Sequence, residues 1–174
     1  MPTAAARPLF SAIVAAPFGA LGIGTRDGLL QELVYLPPSH AEQDAADPLA
    51  AEAARQLRAY LADPDFMFSL PLAARGSAFQ RRVWAAIGAI PRGQVRTYGA
   101  LARELGSAAR AVGQACGANW FPLIVPCHRV TAAAGLGGFA SHDDENGFHL
   151  AVKRWLLKHE GVSASPWQQQ TIWS

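Results

Sequence analysis

The chain has 174 residues, of which 51% are hydrophobic and 16% charged, and its formal net charge is only +2. That balance supports a packed core and excludes a disordered chain, and no run approaches the ~18–20 apolar residues of a membrane span. Split at Leu72, the charge separates. Residues 1–72 carry four Arg against eight acids, a balance of −4, and residues 73–174 carry eleven Lys/Arg against five acids, a balance of +6. An acidic half followed by a basic half points to one end of the molecule facing a polyanion. Thirteen of the fifteen basic residues are Arg, the side chain better suited to planar recognition of phosphates and bases. Two cysteines, Cys116 and Cys127, exclude a multi-disulfide or four-cysteine zinc framework, and counting alone leaves a bridge between them open.

The length allows one domain or two small ones. The apolar stretch from Arg7 is broken by Pro17, Gly19, Gly22 and Gly24, which reads as the first strand of a cytosolic protein rather than a secretory leader. Strand-like runs cover Leu9–Ala15, Ala20–Thr25 and Leu29–Leu36, and Asp27-Gly28 is a hairpin signal. Pro37-Pro38 ends the third run, and Asp47-Pro48 starts a helix with Leu49, Ala53, Leu57 and Leu61 on one face. The apolar run Phe66–Leu70 is expected to return to the sheet. Residues 1–72 thus form a structural sheet-and-helix domain with no sign of chemistry.

In residues 73–174, Ser77 and Gln80 form a capping box for a helix whose buried stripe is Phe79, Val83, Ile87 and Ile90. Pro91-Arg92-Gly93 breaks it. A short helix follows, Tyr98–Leu105, capped by Thr97. Gly106 ends it and Ser107 caps the next, Ala108–Ala118, which together read as a helix-turn-helix. The second helix is small-residue nearly all round, and Gly113 and Gly117 each cost about 1 kcal/mol of helix propensity. Only Arg110 and Gln114 project far. Tight helix packing explains this; so does a recognition helix entering a groove with Arg110 as its probe.

A nearly continuous apolar run from Trp120, expected to be a strand, then delivers Pro126-Cys127-His128-Arg129-Val130. A thiolate is the nucleophilic form of cysteine, and cationic or proton-accepting neighbours favour it, so Cys127 is the candidate nucleophile. In the last helix-like segment, Val152, Trp155, Leu156 and His159 mark the inward stripe, with Glu160 leaning the same way. A carboxylate at a helix C-terminus opposes the helix dipole, so an inward Glu160 needs a partner, and His128 is the candidate.

Pro126-Cys127-His128-Arg129-Val130, preceded by Asn119 and by Arg110-Ala111-Val112-Gly113, resembles the O6-alkylguanine-DNA alkyltransferase family (methylated-DNA–protein-cysteine methyltransferases) from roughly Ser77 to Val162. The first 72 residues fit the family's variable N-terminal domain in outline. The resemblance implies an α/β (α+β) fold: a small antiparallel sheet with a helix, then a mostly helical domain that binds DNA and transfers the alkyl group. It implies a monomeric cytoplasmic protein acting on double-stranded DNA from the minor groove, without metal or cofactor. The alkyl group of O6-alkylguanine, and of O4-alkylthymine, would pass irreversibly to Cys127 after the base is flipped out.

By the same resemblance, His128 is the base acting through a water, Glu160 orients it and Asn119 holds the turn. Tyr98 contacts the flipped nucleotide with Lys153 supporting it, and Arg110 fills the gap in the duplex. Arg129 belongs with the substrate- and DNA-binding residues, Val130 offers its carbonyl to the guanine amine, and Phe139 walls the pocket where the family more often has Tyr. Two departures stand out: the short link Gly106-Ser107, and an extra stretch, Ser141 to Asn146, holding three of the five acids of this half. His142 and His149 flank it and read as solvated rather than as metal ligands.

Three other readings compete. A lesion-binding protein without transfer would lack the reactive cysteine, and a zinc-thiolate regulator would need more cysteines than two. A thiol hydrolase would have to bring Cys127 and His128 together through a turn, because neighbours on a strand face opposite ways.

Overall fold

A computed structural model describes residues 9–133, 135–137 and 147–162. Phe139 and the stretch Ser141–Asn146 lie outside the described residues. The chain divides into two compact units, Met1–Ala73 and Ala74–Ser174.

In the first unit, β1 (Ala12–Ala16), β2 (Gly19–Arg26) and β3 (Leu29–Leu36) form an antiparallel sheet in that order. The Asp27-Gly28 turn has φ of 56° and 73° at its two central residues, the left-handed pair that matches the twist of a tight hairpin. β2 buries Ala20, Leu21 and Ile23, and β3 buries Leu30, Leu33 and Tyr35. Helix α1 (Pro48–Ala62) packs on β1 and β2. The Asp47 carboxylate accepts from Ala50 N at 2.8 Å, the expected N-cap. The buried face of α1 is Ala50, Ala53, Ala54, Gln56, Leu57 and Tyr60, one position off the anticipated Leu49–Leu61 stripe.

Phe66–Leu70 does not return to the sheet. The buried amide of Gln56 pairs with Ser69, accepting from its N–H at 2.9 Å and donating to its carbonyl at 3.2 Å. A side chain therefore occupies backbone groups a ladder would need, and only a bridge between Leu30 and Leu72 remains.

The second unit opens with α2 (Ala78–Gly88), where both bonds of the Ser77–Gln80 capping box are present. Its buried stripe includes Trp84 with Val83 and Ile87, while Phe79 is half-buried. The Trp84 indole donates to the carbonyl of Ala115 at 2.8 Å, tying α2 to the recognition-helix candidate. Strand β4 (Arg96–Thr97) leads into α3 (Tyr98–Leu105), with the Thr97 hydroxyl accepting from Ala100 N. Helix α4 (Ala109–Gly117) follows, then a 3-10 turn (Cys127–Arg129), β5 (Val130–Thr131) and α5 (Phe148–His159).

Ser107 does not cap α4. Its N–H bonds back to Ala102 at 2.8 Å, closing the end of α3, and Ala108 takes the N-cap position with no side-chain bond. No helix among the described residues is long and apolar enough to cross a membrane.

Candidate active site

The reactive segment is built by a turn rather than a strand. Pro122 and Pro126 have no N–H to give a ladder. Asn119 occupies the Val125 carbonyl, donating from Nδ2 at 2.9 Å, and Val125 N closes onto the Phe121 carbonyl at 2.8 Å. Leu123, buried, sits at φ 74°, a conformation costly for a residue with a branched side chain and found where surrounding structure imposes it. The chain then coils through Cys127–Arg129 and leaves along β5, which pairs in parallel with β4: Arg96 with Val130 and Thr97 with Thr131. That two-residue ladder places Tyr98, the first residue of α3, beside the cysteine turn.

Cys127 is 5% exposed, and Asn119 Nδ2 donates to its sulfur at 3.3 Å. A second thiol, Cys116 from the last turn of α4, is near enough to act on its titration. That neighbour and burial push the Cys127 thiol well above its ordinary value, against the pull of Asn119 and the Lys153 charge. Left to itself, Cys127 is a protonated thiol and needs a base.

The residue next in sequence is the candidate base. His128 Nε2 lies 2.9 Å from Glu160 Oε2, and both side chains are fully buried. Burial disfavours the Glu160 anion, but the bonds from His128 and Arg129 and their charges outweigh it and hold the carboxyl well below the usual range. An ionised carboxylate only accepts, so Nε2 carries the imidazole proton and Nδ1 keeps a lone pair. Burial pushes His128 below its ordinary pKa despite the Glu160 charge, so the ring is neutral at physiological pH. Nδ1 is buried with no hydrogen-bond partner in the protein.

Arg129, expected among the substrate- and DNA-binding residues, is part of this cluster in the structure. Its Nε and Nη2 donate to the two oxygens of Glu160 at 2.8 and 3.0 Å, and Nη1 donates to the Ile90 carbonyl at 2.7 Å. The bidentate clamp gives Glu160, otherwise a buried anion with one neutral partner, a fixed countercharge. Arg92 Nη1 adds a bond to the Glu160 backbone carbonyl at 3.0 Å, closing the end of α5. In the sequence Pro91-Arg92-Gly93 is legible only as a helix breaker, and no spacing signal marks this contact.

On the other side, α5 contributes Lys153 rather than the anticipated Trp155 and His159, which are half-buried and stacked on each other at 4.7 Å. Lys153 is fully buried and donates to the carbonyls of Val130 and Leu136 at 2.8 and 2.6 Å. Its ammonium sits 5.8 Å from the centre of the Tyr98 ring. Burial pulls its pKa down to about 8, opposed by the nearby cysteines. The Val130 carbonyl, assigned to the guanine amine, already accepts from Lys153, although a carbonyl has a second lone pair to offer. Gly137 lets Tyr98 close in: a Cβ there would stand 2.8 Å from the Tyr98 ring.

Arg110 is exposed on α4, as is Gln114. A Cβ on Gly113 would meet nothing within 4 Å, so no internal contact demands glycine there.

The geometry so far defines a protein with a buried cysteine next in sequence to a buried histidine–carboxylate pair, on a domain with an arginine-bearing helix pair. Residues 78–162 match the family model described as 6-O-methylguanine DNA methyltransferase, DNA binding domain. The methylated-DNA–protein-cysteine methyltransferase of Mycolicibacterium paratuberculosis is 40% identical over 148 residues, 81% of this chain and 90% of that one. The protein of the same name from Methanosarcina acetivorans is 38% identical over 88% of this chain and 99% of its own. A crystal structure of Mycobacterium tuberculosis OGT in complex with DNA superposes with a TM-score of 0.70 at 38% identity, covering 86% and 91% of the two chains. The chain belongs to the methylated-DNA–protein-cysteine methyltransferase family.

Proposed function

We propose that the protein repairs DNA by moving the alkyl group of O6-alkylguanine, and of O4-alkylthymine, onto Cys127 Sγ, one group per molecule. The single observation that carries this is the buried run of Cys127, His128 and Glu160 with the His128 Nδ1 lone pair left free of protein partners.

The damaged base leaves the stack, because its alkyl carbon is unreachable within the duplex. Arg110 enters the gap from the minor groove, and Tyr98 meets the flipped nucleotide, backed by Lys153. His128 Nδ1 takes the Cys127 proton through a water, the Glu160 carboxylate steadying the imidazolium. The thiolate attacks the alkyl carbon; the S–C bond forms, the C–O6 bond breaks, and its electron pair stays with the base oxygen. Lys153, Arg129 and Asn119 need no proton change, since they hold the turn and its charges in place. A thioether has no easy leaving path, so the protein is consumed.

The residues between Arg75 and Arg129 include eight Arg and a single acid, Glu104, and neutralising four or five phosphates would give salt-sensitive, largely sequence-independent affinity. The first unit has a structural role in this reading, and the second carries DNA binding and transfer. Incubation with a duplex bearing one labelled O6-methylguanine tests the assignment. The label should appear on the peptide containing Cys127 and be absent with Cys127→Ala. Tight binding of the lesion without any label on the protein would instead identify a lesion-binding signal protein.

A further inference from the structure

Glu160 is held at two points, and only one of them is its carboxylate. It is the C-cap residue of α5, where a helix leaves carbonyls without partners and where ends fray. The N–H groups of Gly161 and Val162 bond to the carbonyls of Lys158 and Leu157, each at 3.0 Å, in the manner of a Schellman end. The Glu160 carbonyl lies outside that pattern, and Arg92 Nη1 donates to it at 3.0 Å. The approach is close on both sides. A Cβ on Gly93 would stand 3.4 Å from the same carbonyl, and one on Gly161 would stand 3.7 Å from Arg92 Nη1.

Arg92 is also tied to the other arginine. The Ile90 carbonyl accepts from Arg129 Nη1 at 2.7 Å, while Arg129 Nε and Nη2 hold the Glu160 carboxylate at 2.8 and 3.0 Å. Between Ile90 and Arg92 stands Pro91, whose ring fixes φ at about −65°. The bonds close a ring. It leaves Glu160 by the carboxylate, runs through Arg129, Ile90, Pro91 and Arg92, and returns to Glu160 by the carbonyl.

We infer that Arg92 is a positioning residue for the transfer reaction: by fixing the backbone of Glu160 it sets the 2.9 Å contact between the Glu160 carboxylate and His128 Nε2. Without Arg92 the carboxylate keeps its clamp on Arg129 but follows the fraying end of α5. His128 and Arg129 share that one carboxylate from adjacent positions, so a shift that preserves the charged pair lengthens the bond to the imidazole. A misplacement of about 1 Å can cost roughly 10²-fold in rate. Because Arg129 still restrains the carboxylate, the expected loss is smaller, roughly 10-fold.

The effect on transfer rests on the proposed roles of Cys127 and His128; the placing of Glu160 does not, and two readouts keep them apart. The first is the single-turnover rate at saturating methylated duplex. Arg92→Met, which keeps the aliphatic stem and loses the donor, should slow it roughly 10-fold with duplex affinity unchanged. Arg92→Lys, which keeps a cationic donor, should recover most of the loss. The second is the proton NMR signal of the His128 Nε2–H in protein carrying nitrogen-labelled histidine. Its bond to a buried carboxylate shifts that proton far downfield and slows its exchange with water. In Arg92→Met the signal should move upfield and exchange faster. Arg92→Gln, with a shorter neutral donor, is the second variant and should show both changes in smaller measure. A lower urea midpoint with rate and signal unchanged would make Arg92 a helix cap and overturn the proposal. So would weaker duplex binding with the saturated rate intact, the mark of a phosphate contact. If the unaltered protein transfers no methyl group, the repair reading fails, while the histidine signal still reports whether Arg92 places Glu160.

Discussion

Glu160 Oε2 and His128 Nε2 stand 2.9 Å apart, joined across 32 residues of chain, and Arg129 bonds to both oxygens of the same carboxylate. A buried anion is thus shared between a neutral imidazole that must accept a proton and a guanidinium that never releases one. Glu160→Gln keeps the shape but can present its amide N–H to the imidazole, so it loses the preference that fixes the proton on Nε2. We expect transfer to slow by roughly 10²-fold, the scale of a positioned general base, measured as the single-turnover rate on a methylated duplex. Glu160→Ala leaves Arg129 buried without its anion and should cost about 3–5 kcal/mol of stability in urea unfolding.

The same groups set the pH response. Glu160 is held below its ordinary pKa and His128 is pushed below its own. In both cases the unfolded chain binds more protons than the folded one on the acid side. Stability is therefore fully present above about pH 6.5, the unfolded value for histidine, and falls on acidification as His128 and then Glu160 are reached. Lys153 has the same sign on the alkaline side: with its pKa lowered to about 8, the unfolded chain holds the extra proton between there and about 10.4, so its own contribution rises across that interval, while the raised Cys127 thiol acts in the opposite sense. Urea midpoints across the pH range check both limbs. A midpoint that climbs as pH drops below 6 would contradict the buried neutral His128.

Gly113 separates binding from folding. Nothing lies within 4 Å of the position a Cβ would take, so Gly113→Ala should stabilise the free protein by about 0.5–1 kcal/mol through helix propensity. If α4 enters a groove along this face, the added methyl should weaken duplex affinity at the same time. Melting and DNA titration of one variant give both readings, and unchanged affinity would place the DNA elsewhere.

Arg110→Ala tests the same face of the helix, one turn before Gly113. The exposed side chain makes no contribution to the thiol cluster, so reaction with free O6-methylguanine base should be unaffected while repair in duplex slows strongly. Comparing the two rates isolates the finger role.

Leu123 at φ 74° gives a backbone prediction. Leu123→Gly relieves strain of about 1–3 kcal/mol but removes a buried side chain worth roughly the same. The net stability change should therefore be much smaller than for a buried leucine truncated elsewhere, such as Leu156→Gly, by urea unfolding.

Much of the fold was legible because its signals are local. Asp47-Pro48, Ser77 with Gln80, Thr97 before Tyr98 and Asp27-Gly28 each satisfy backbone groups within a few residues, and the helices and hairpin start where these stand. Failures came where a side chain reached across the chain. Gln56 took the backbone of Ser69, removing a fourth strand, and Asn119 with two prolines turned an apolar run into a loop. In the site, the Glu160–His128 pairing could be anticipated because an inward acid at a helix C-terminus demands a partner. The Arg129 clamp and the Arg92 cap could not, since each depends on elements meeting through the β4–β5 ladder.

The most direct test of the account is a titration of protein with excess duplex carrying O6-methylguanine, counting methyl groups removed per molecule. Removal should stop at one per molecule, with Cys127 methylated and the protein spent. Continued removal well past one, by protein whose Cys127 remains a free thiol, would contradict it.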